Sequence, residues 1–252
     1  GGTIADIRGD ADDPASRGHI CPKAVALKDL HEDPDRLRHP VKRVGAEWIE
    51  ISWREAIDLT VHGIQGVQRR HGRDALAIYI GNPTVHSLGA MLFAPAFSKS
   101  LGTKNRYSAT SVDQLPHHLA ALFSFGHPLL IPVPDLDRTD CWIIFGANPA
   151  ASNGSLMTAP DVVKRLKAIG ARGGQVIVVD PRRTETAELA SAHHFIRPGT
   201  DALALMAMLQ VIFAEGLVKL GHVAGYTDGV EAVQQACAPF TPERVTEATG
   251  LS

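Results

Sequence analysis

The chain has 252 residues, 44% of them hydrophobic and 21% charged, an ordinary globular composition that suffices for one large or two modest α/β domains. Its formal net charge of -2 leaves no excess of positive charge for neutralising phosphates, so a nucleic-acid partner is not expected. Three widely spaced cysteines argue against a disulfide framework, and no apolar run approaches the roughly 20 residues that cross a bilayer, so membrane insertion is not expected either.

A cytoplasmic location is the simpler interpretation, because so few cysteines are typical of a reducing compartment. Export to the periplasm stays open. The chain begins with Gly1 rather than an initiator methionine, and we expect its natural amino terminus to be missing.

The first 40 residues are rich in Gly, Asp, Arg and His and show no sustained apolar period, which predicts loops with short elements. A short strand is predicted around Trp48 and Ile49. A helix should follow as far as Ile64. Ser52 and Glu55 have the spacing of a capping box, which predicts where this helix begins.

A strand, loop and helix are predicted next, with a short buried strand over residues 75–80 and a helix over 88–97. The stretch 107–113 is polar, and a further helix is predicted over 117–125. Three prolines between residues 128 and 134 then predict an extended linker and a domain boundary near Asp135.

The remaining sequence alternates apolar strands with helices. Cys141 to Phe145 is a continuous apolar run, typical of a parallel strand buried on both faces, which would make Cys141 a core residue. Residues 176–179 and 194–196 predict two more strands, with helices over 159–169 and 202–215. This alternation predicts a doubly wound parallel sheet.

A polar turn follows each of these three strands. The carboxyl ends of parallel strands meet at one edge of a sheet, where ligands bind, so the turns predict a nucleotide-like ligand. The turn residues are Gly146, Asn148 and Pro149, then Asp180, Pro181 and Arg182, then Gly199, Thr200 and Asp201.

Each turn has its own predicted chemistry. Asp180 can accept hydrogen bonds from a ribose or an amino-bearing ring, and Arg182 can face a phosphate. The alternative, that Asn148, Asp180 and Asp201 only cap turns and helices, stays open for each of them alone. The glycine fingerprints of nicotinamide sites and P-loops are absent from the sequence, which disfavours both kinds of site.

Several segments together resemble one family. In chain order they are residues 18–23 (GHICPK), 37–43 (LRHPVKR), 51–56 (ISWREA), 146–149 (GANP), 178–182 (VVDPR) and 197–201 (RPGTD). Over nearly its whole length the chain is similar to the molybdopterin oxidoreductases that bind molybdopterin guanine dinucleotide, which include formate dehydrogenases and nitrate reductases.

This resemblance implies a fold of two α/β lobes, the second a doubly wound parallel dinucleotide-binding sheet, preceded by a remnant of an iron-sulfur segment. The implied divisions are residues 1–40 for the remnant, 41–135 for the first lobe and 136–252 for the second, with the whole chain an amino-terminal fragment. Ser152 joins the turn residues as an implied contact of the dinucleotide.

The resemblance also implies an iron-sulfur ligand. Cys21 would be one ligand of a 4Fe-4S cluster, and Lys23 the cation between the cluster and the pterin. Such a cluster needs four ligands, and the sequence upstream of Cys21 supplies no other cysteine. Either a preceding segment is missing or the cluster has been lost, and a merely structural role for Cys21 stays open.

The family's metal-binding side chain should lie within residues 106–113. Ser108 is the leading candidate, followed by Ser111 and Asp113, because an oxygen ligand suits high-valent molybdenum. An ordinary polar turn is the alternative for each. The adjacent histidine pairs of the sequence lack ligand spacing and are interpreted as structural.

The implied activity is a two-electron or oxygen-atom transfer by molybdenum bis(molybdopterin guanine dinucleotide), with electrons passing through the 4Fe-4S cluster. The implied partners are a small-molecule substrate and an electron-transfer protein. The isolated chain is expected to be inactive, since the part that binds the second pterin should follow residue 252. The alternative is a noncatalytic nucleotide-binding or scaffold module that has lost the cluster.

Overall fold

The structure, a computed structural model, describes residues 3–154 and 159–251. These residues form two compact units, one of residues 3–7 and 23–131, the other of residues 8–22, 132–154 and 159–251. The division into 1–40, 41–135 and 136–252 stays a prediction.

The first unit contains an antiparallel hairpin and a long helix. Strand β1 (Val41–Val44) pairs with β2 (Glu47–Glu50) across a turn at Gly45, whose φ is 63°. The Ser52 side chain accepts a hydrogen bond from Glu55 N at 3.2 Å and caps helix α3 (Trp53–His71), as predicted. Two short helices, α1 (Pro22–Val25) and α2 (Leu27–Glu32), precede the hairpin in the chain.

A parallel strand pair completes this unit. Strand β3 (Ile78–Ile80) lies beside β4 (Arg106–Ser108), with Ile80 opposite Ser108. The connection is helix α4 (Leu88–Leu101), and two helices follow, α5 (Thr110–Asp113) and α6 (Leu115–Phe125).

One prediction for this region was wrong, and one strand was not predicted. The strand over 75–80 is shorter and not fully buried, because residues up to Ala75 form a 3-10 turn and Tyr79 is 67% exposed. Residues 106–108 form a strand although they lack the apolar pattern, because their backbone pairs with β3.

The second unit is built on a three-stranded parallel sheet. Its strands β5 (Cys141–Phe145), β6 (Gln175–Val179) and β7 (Ala192–His194) lie side by side in chain order. The predicted α/β class with parallel sheets is confirmed. The helices of this unit are α7 (Pro149–Ser152), α8 (Val162–Ala171), α9 (Glu185–Glu188), α10 (Asp201–Ala214), α11 (Val230–Cys237) and α12 (Pro242–Thr249).

Helices cover the two faces of this sheet differently. On one face, apolar side chains of β5, β6, α8 and α9 form the larger core cluster, whose buried members include Ile144, Leu166, Ile169 and Val178. On the other face, Val179 packs with Ala204 of α10, and an apolar groove of about 480 Å³ stays open between the sheet, α10 and α12.

The open groove corrects the prediction that β5 is buried on both faces. Alternate residues of a strand point to opposite faces, so Ile144 faces the larger core while Cys141 and Ile143 point to the other side. Cys141 is exposed and Ile143 is 38% exposed, so Cys141 is not the core residue that the sequence indicated.

Among residues 3–154 and 159–251, we found no helix with both the length and the apolar character needed to traverse a bilayer.

Candidate functional site

The carboxyl edge of the β5–β7 sheet brings the first two predicted turns together. Gly146 N donates to Val179 O at 2.9 Å, and Asp180 N donates to His194 O at 3.1 Å. Each bond extends the strand pairing by one residue, so the turn after β5 lies beside the turn after β6. Gly146 has a φ of 58°, and a Cβ added to it would have no atom within 4 Å, so its backbone borders open space.

The Asn148 side chain connects the turn after β5 to the start of α9, the helix that follows the turn after β6 in the chain. Its Oδ1 accepts hydrogen bonds from Thr186 Oγ1 at 2.7 Å and from Thr186 N at 3.3 Å, and its Nδ2 donates to Glu185 Oε2 at 2.7 Å. Thr186 Oγ1 in turn accepts from Ala150 N at 3.0 Å. Asn148 is the N-cap residue of α7, and its backbone carbonyl accepts from Ala151 N and Ser152 N, but its side chain makes no hydrogen bond to that helix.

Thr186 and Glu185 are site residues that the sequence analysis missed. Thr186 is fully buried, and in the described part of the chain its hydroxyl bonds Asn148 Oδ1 and Ala150 N, both from the segment after β5. The local signal was the run Thr184–Glu185–Thr186, because Thr184 caps α9 by accepting from Ala187 N at 3.1 Å.

Asp180 is a nearly buried carboxylate at the end of β6. Its exposed fraction is 7%, and its Oδ1 accepts from Arg182 N at 2.7 Å, which closes a tight turn. The Arg182 guanidinium is exposed and lies 3.8 Å from Glu185, whereas the next arginine, Arg183, makes two bonds to Glu188 at 2.5 and 3.1 Å. Arg182 is therefore less tightly paired with a carboxylate than Arg183 is. Pro181, between Asp180 and Arg182, is exposed.

The third predicted turn opens α10. Gly199 has a φ of 81°, the Thr200 hydroxyl donates to Arg197 O at 2.7 Å, and the half-buried Asp201 is the first residue of the helix. Arg197 fastens this turn to the end of α12, since its backbone N donates to Thr249 O and its Nη1 to Glu247 O, both at 2.8 Å.

Two further predicted contacts lie on the short helix α7. Pro149 is buried, while Ser152 is exposed. The helix ends at Asn153, a non-glycine residue in the left-handed region with a φ of 58°. Asn148 and Asn153 thus bracket the turn, and both side chains make hydrogen bonds to other segments of the second unit.

The predicted metal ligand Ser108 belongs to the first unit, at the carboxyl end of β4. Its hydroxyl accepts from Thr110 N at 3.3 Å, and its carbonyl accepts from Ser111 Oγ at 3.3 Å. Ser108 is half-buried, whereas Ser111 and Asp113 are exposed. These bonds are those of a polar turn, and the end of a parallel strand is where a ligand contact is expected.

The residues predicted near the iron-sulfur cluster belong to different units of the chain. Cys21 is half-buried in the second unit, and Lys23 is exposed in the first. In the described part of the chain, no three His, Cys, Asp or Glu side chains are grouped in a way that could hold a metal ion.

Glu185 is held in its charged form by its neighbours. The hydrogen bond from Asn148 is the main reason that the pKa of Glu185 lies below its ordinary value, and attraction to Arg182 contributes less. The carboxylate therefore stabilises the turn above the pKa that glutamate has in the unfolded chain. This stabilisation is lost as the pH falls through the lowered pKa.

We expect Asn148→Ala to return the pKa of Glu185 towards its ordinary value, because the largest favourable contact of the carboxylate is removed. NMR titration of the Glu185 carboxyl carbon measures this shift. Arg182→Ala is the matched comparison and should raise the pKa by less. An unchanged pKa in Asn148→Ala would show that the cross-link does not form in solution.

A family model supports the same assignment as the sequence motifs. The model described as molybdopterin oxidoreductase matches residues 36–238 of this chain. This range includes the turns after β5, β6 and β7 and the strand that carries Ser108.

Curated relatives match the chain over almost its full length. A nitrate reductase from Synechocystis sp. is 30% identical, with 98% of this chain and 34% of that protein aligned. The assimilatory nitrate reductase catalytic subunit of Bacillus subtilis is 26% identical over 96% of this chain and 33% of its own length. Formate dehydrogenase H of Escherichia coli is 28% identical over 94% and 33% respectively.

A solved structure shares the fold. Acetylene hydratase from Pelobacter acetylenicus superposes with a TM-score of 0.71 over 99% of this chain and 33% of that one, at 24% sequence identity. The chain thus spans about a third of the length of the relatives that it matches.

Proposed function

This chain belongs to the molybdopterin oxidoreductase family, and we propose that it provides the dinucleotide-binding turns of a molybdenum-pterin-dependent oxidoreductase. The observation that carries the proposal is the pair of adjacent turns at the carboxyl edge of the β5–β7 sheet. There the open backbone at Gly146, the carboxylate of Asp180 and the cation of Arg182 lie on neighbouring strand ends.

These residues fit the nucleotide half of molybdopterin guanine dinucleotide. A Cβ added to Gly146 or Gly199 would have nothing within 4 Å, so a phosphate can approach the backbone closely at both glycines. Asp180 provides an acceptor for an amino-bearing ring such as guanine. Arg182 provides an exposed cation for a phosphate, in exchange for its weak contact with Glu185.

When bound, the molybdenum-pterin group supplies two-electron redox chemistry, with oxygen-atom transfer in many cases. The chain's own residues would orient the group and hold its phosphates. Ser108 is the side chain that we propose as the protein ligand of the metal. Its position at the end of β4 supports this role, together with a hydroxyl whose one hydrogen bond within residues 3–154 and 159–251 is the 3.3 Å bond from Thr110 N.

The fit for a 4Fe-4S cluster is incomplete. Cys21 would supply one of the four ligands that such a cluster needs, with Lys23 as the nearby positive charge. Residues 3–154 and 159–251 present no group of ligands around Cys21. A small-molecule substrate, an electron-transfer partner protein and the bis form of the cofactor belong to the whole enzyme that we propose, and we expect no turnover by this chain alone.

The test is binding of GDP, which represents the nucleotide half of the cofactor, by isothermal titration calorimetry. We expect Arg182→Ala to weaken GDP binding about tenfold, as for the loss of one charge-assisted hydrogen bond. The matched control is Arg183→Ala, since Arg183 is already engaged by Glu188 and should not reach the phosphates. Equal losses in the two variants, or no binding of GDP by the unaltered chain, would contradict the proposed site.

The second candidate function is a noncatalytic nucleotide-binding or scaffold module that has lost the cluster, since residues 3–154 and 159–251 present no group of metal ligands. Elemental analysis of the protein expressed from its complete reading frame separates the two functions. Molybdenum or tungsten with about four irons per chain supports the enzyme. Well-folded protein without metal or pterin supports the scaffold.

A further inference from the structure

Residues 8–22, which we name the Cys21 loop, fold back on themselves within the second unit. Arg17 N donates to Asp13 O at 2.8 Å, and the Asp13 side chain accepts from Ser16 N at 2.9 Å. A Cβ added to Gly9 would lie 2.0 Å from Gly18 O, so the two ends of the loop touch through backbone alone. The loop is compact without a strand or a long helix of its own.

Asp137 connects this loop to the rest of the unit. Its Oδ2 accepts from Arg17 Nη1 of the loop at 3.0 Å, and its Oδ1 accepts from Arg165 Nε of α8 at 3.0 Å. Arg165 also bonds Oδ2 through Nη2 at 3.3 Å, and its side chain is only 16% exposed. The adjacent Leu136 is fully buried in the larger core cluster. Asp137 is therefore held in place by α8 and the core, and Arg17 attaches the loop to it.

A second contact joins the loop to the dinucleotide turn. His19 Nε2 lies 3.1 Å from Asn153 Oδ1, and the amide oxygen only accepts, so the bond requires a proton on Nε2. Asn153 directly follows α7, whose residues form part of the turn after β5. The loop is thus attached at two points, and one of them is the end of the proposed cofactor-binding turn.

We propose that Asp137 is a positioning residue that holds the Cys21 loop against the dinucleotide turn, so that Cys21 is placed by the same unit that binds the nucleotide. The importance of Cys21 rests on the proposed function. The attachment itself does not, because it depends only on contacts within the second unit. A lowered pKa of Asp137, caused first by its hydrogen bond with Arg165, agrees with a carboxylate that stays charged between the two arginines.

The test compares Asp137→Asn with Asp135→Asn in the full chain. Both aspartates lie in the same connecting segment and both pair with an arginine, but the Asp135 side chain bonds Arg138, just three residues away, at 2.5 Å. Two local readouts apply, amide hydrogen exchange of peptides within residues 8–22 and the alkylation rate of Cys21 by iodoacetamide. Exposed Cys141 serves as the internal reference for alkylation.

We expect Asp137→Asn to speed both exchange and Cys21 alkylation about threefold or more, as for the loss of a partly exposed bridging carboxylate. Asp137→Glu should restore part of the protection, and Asp135→Asn should change neither rate. Arg17→Ala leaves the Asp137–Arg165 pair intact and should speed hydrogen exchange and Cys21 alkylation to the same extent. This variant therefore tests the proposal even if Asp137→Asn folds poorly. Unchanged rates in Arg17→Ala would overturn the proposal. Since no nucleotide is added, that failure is distinct from a failure of GDP binding.

Discussion

Replacing Thr186 by valine is expected to lower the free energy of unfolding by about 2 kcal/mol, the cost of leaving partners of a buried hydroxyl unpaired. Valine keeps the shape of threonine but removes the donor to Asn148 Oδ1 and the acceptor for Ala150 N. Because Thr186 is fully buried, water cannot replace either bond. We also expect weaker GDP binding, since the turn after β5 loses its link to α9, which follows the turn after β6.

Urea unfolding and GDP titration measure the two effects of Thr186→Val. Thr186→Ser keeps the hydroxyl and should retain most of the GDP affinity, whereas a purely steric role would make serine the worse replacement. Thr246→Val is the matched control, because the exposed Thr246 hydroxyl bonds only Pro242 O within its own helix. If Thr186→Val and Thr246→Val have equal effects, the cross-link contributes nothing.

Leu166→Ala should be the most destabilising of the substitutions considered, with a loss of about 2–5 kcal/mol. Leu166 of α8 is 1% exposed and lies in the core cluster with Ile144, Val176 and Val178 of the sheet. Truncation removes buried methyl groups and leaves a cavity that the parallel strands can close only in part.

The fluorescence of Trp142 during urea unfolding measures this loss when Leu166→Ala is made in a Trp48→Phe, Trp53→Phe background. Trp142 is then the remaining tryptophan, and it packs against the same core cluster. Leu205→Ala on α10 is the control, since Leu205 is 45% exposed and should lose less than about 1 kcal/mol. If Leu166→Ala lowers the free energy of unfolding no more than Leu205→Ala does, packing of α8 against the sheet does not stabilise this unit.

Elements with a strong local pattern could be predicted from the sequence. The apolar runs of β5 and β6, the cap at Ser52 and the long apolar helix α10 all follow from the order of neighbouring residues. Strand β4 could not be predicted, because its residues Arg106–Ser108 take their conformation from pairing with β3. The exposure of Cys141 likewise depends on which helices cover the sheet, and no pattern within β5 contains that information.

In the candidate site, too, some residues could be predicted from the sequence and others depend on the tertiary structure. The positions of Gly146 and Asp180 follow from the rule that turns after parallel strands share an edge, and the structure places these two turns side by side. The role of Thr186 was not predictable, because its partner Asn148 is 38 residues away. Asn148 was predicted to cap a helix or bind a ligand, and only the tertiary structure shows that its amide joins the turn after β5 to the start of α9.

The two faces of the β5–β7 sheet also differ in when they can form. The face covered by α8 and α9 is built from segments that connect consecutive strands, so its contacts close short loops. The opposite face also needs Leu251, which follows the whole sheet and α10 in the chain, and so the contacts of Leu251 close much longer loops. Since longer closures cost more chain entropy and slow folding, the nucleus should contain α8 with β5 and β6, and the side bearing the groove should consolidate last.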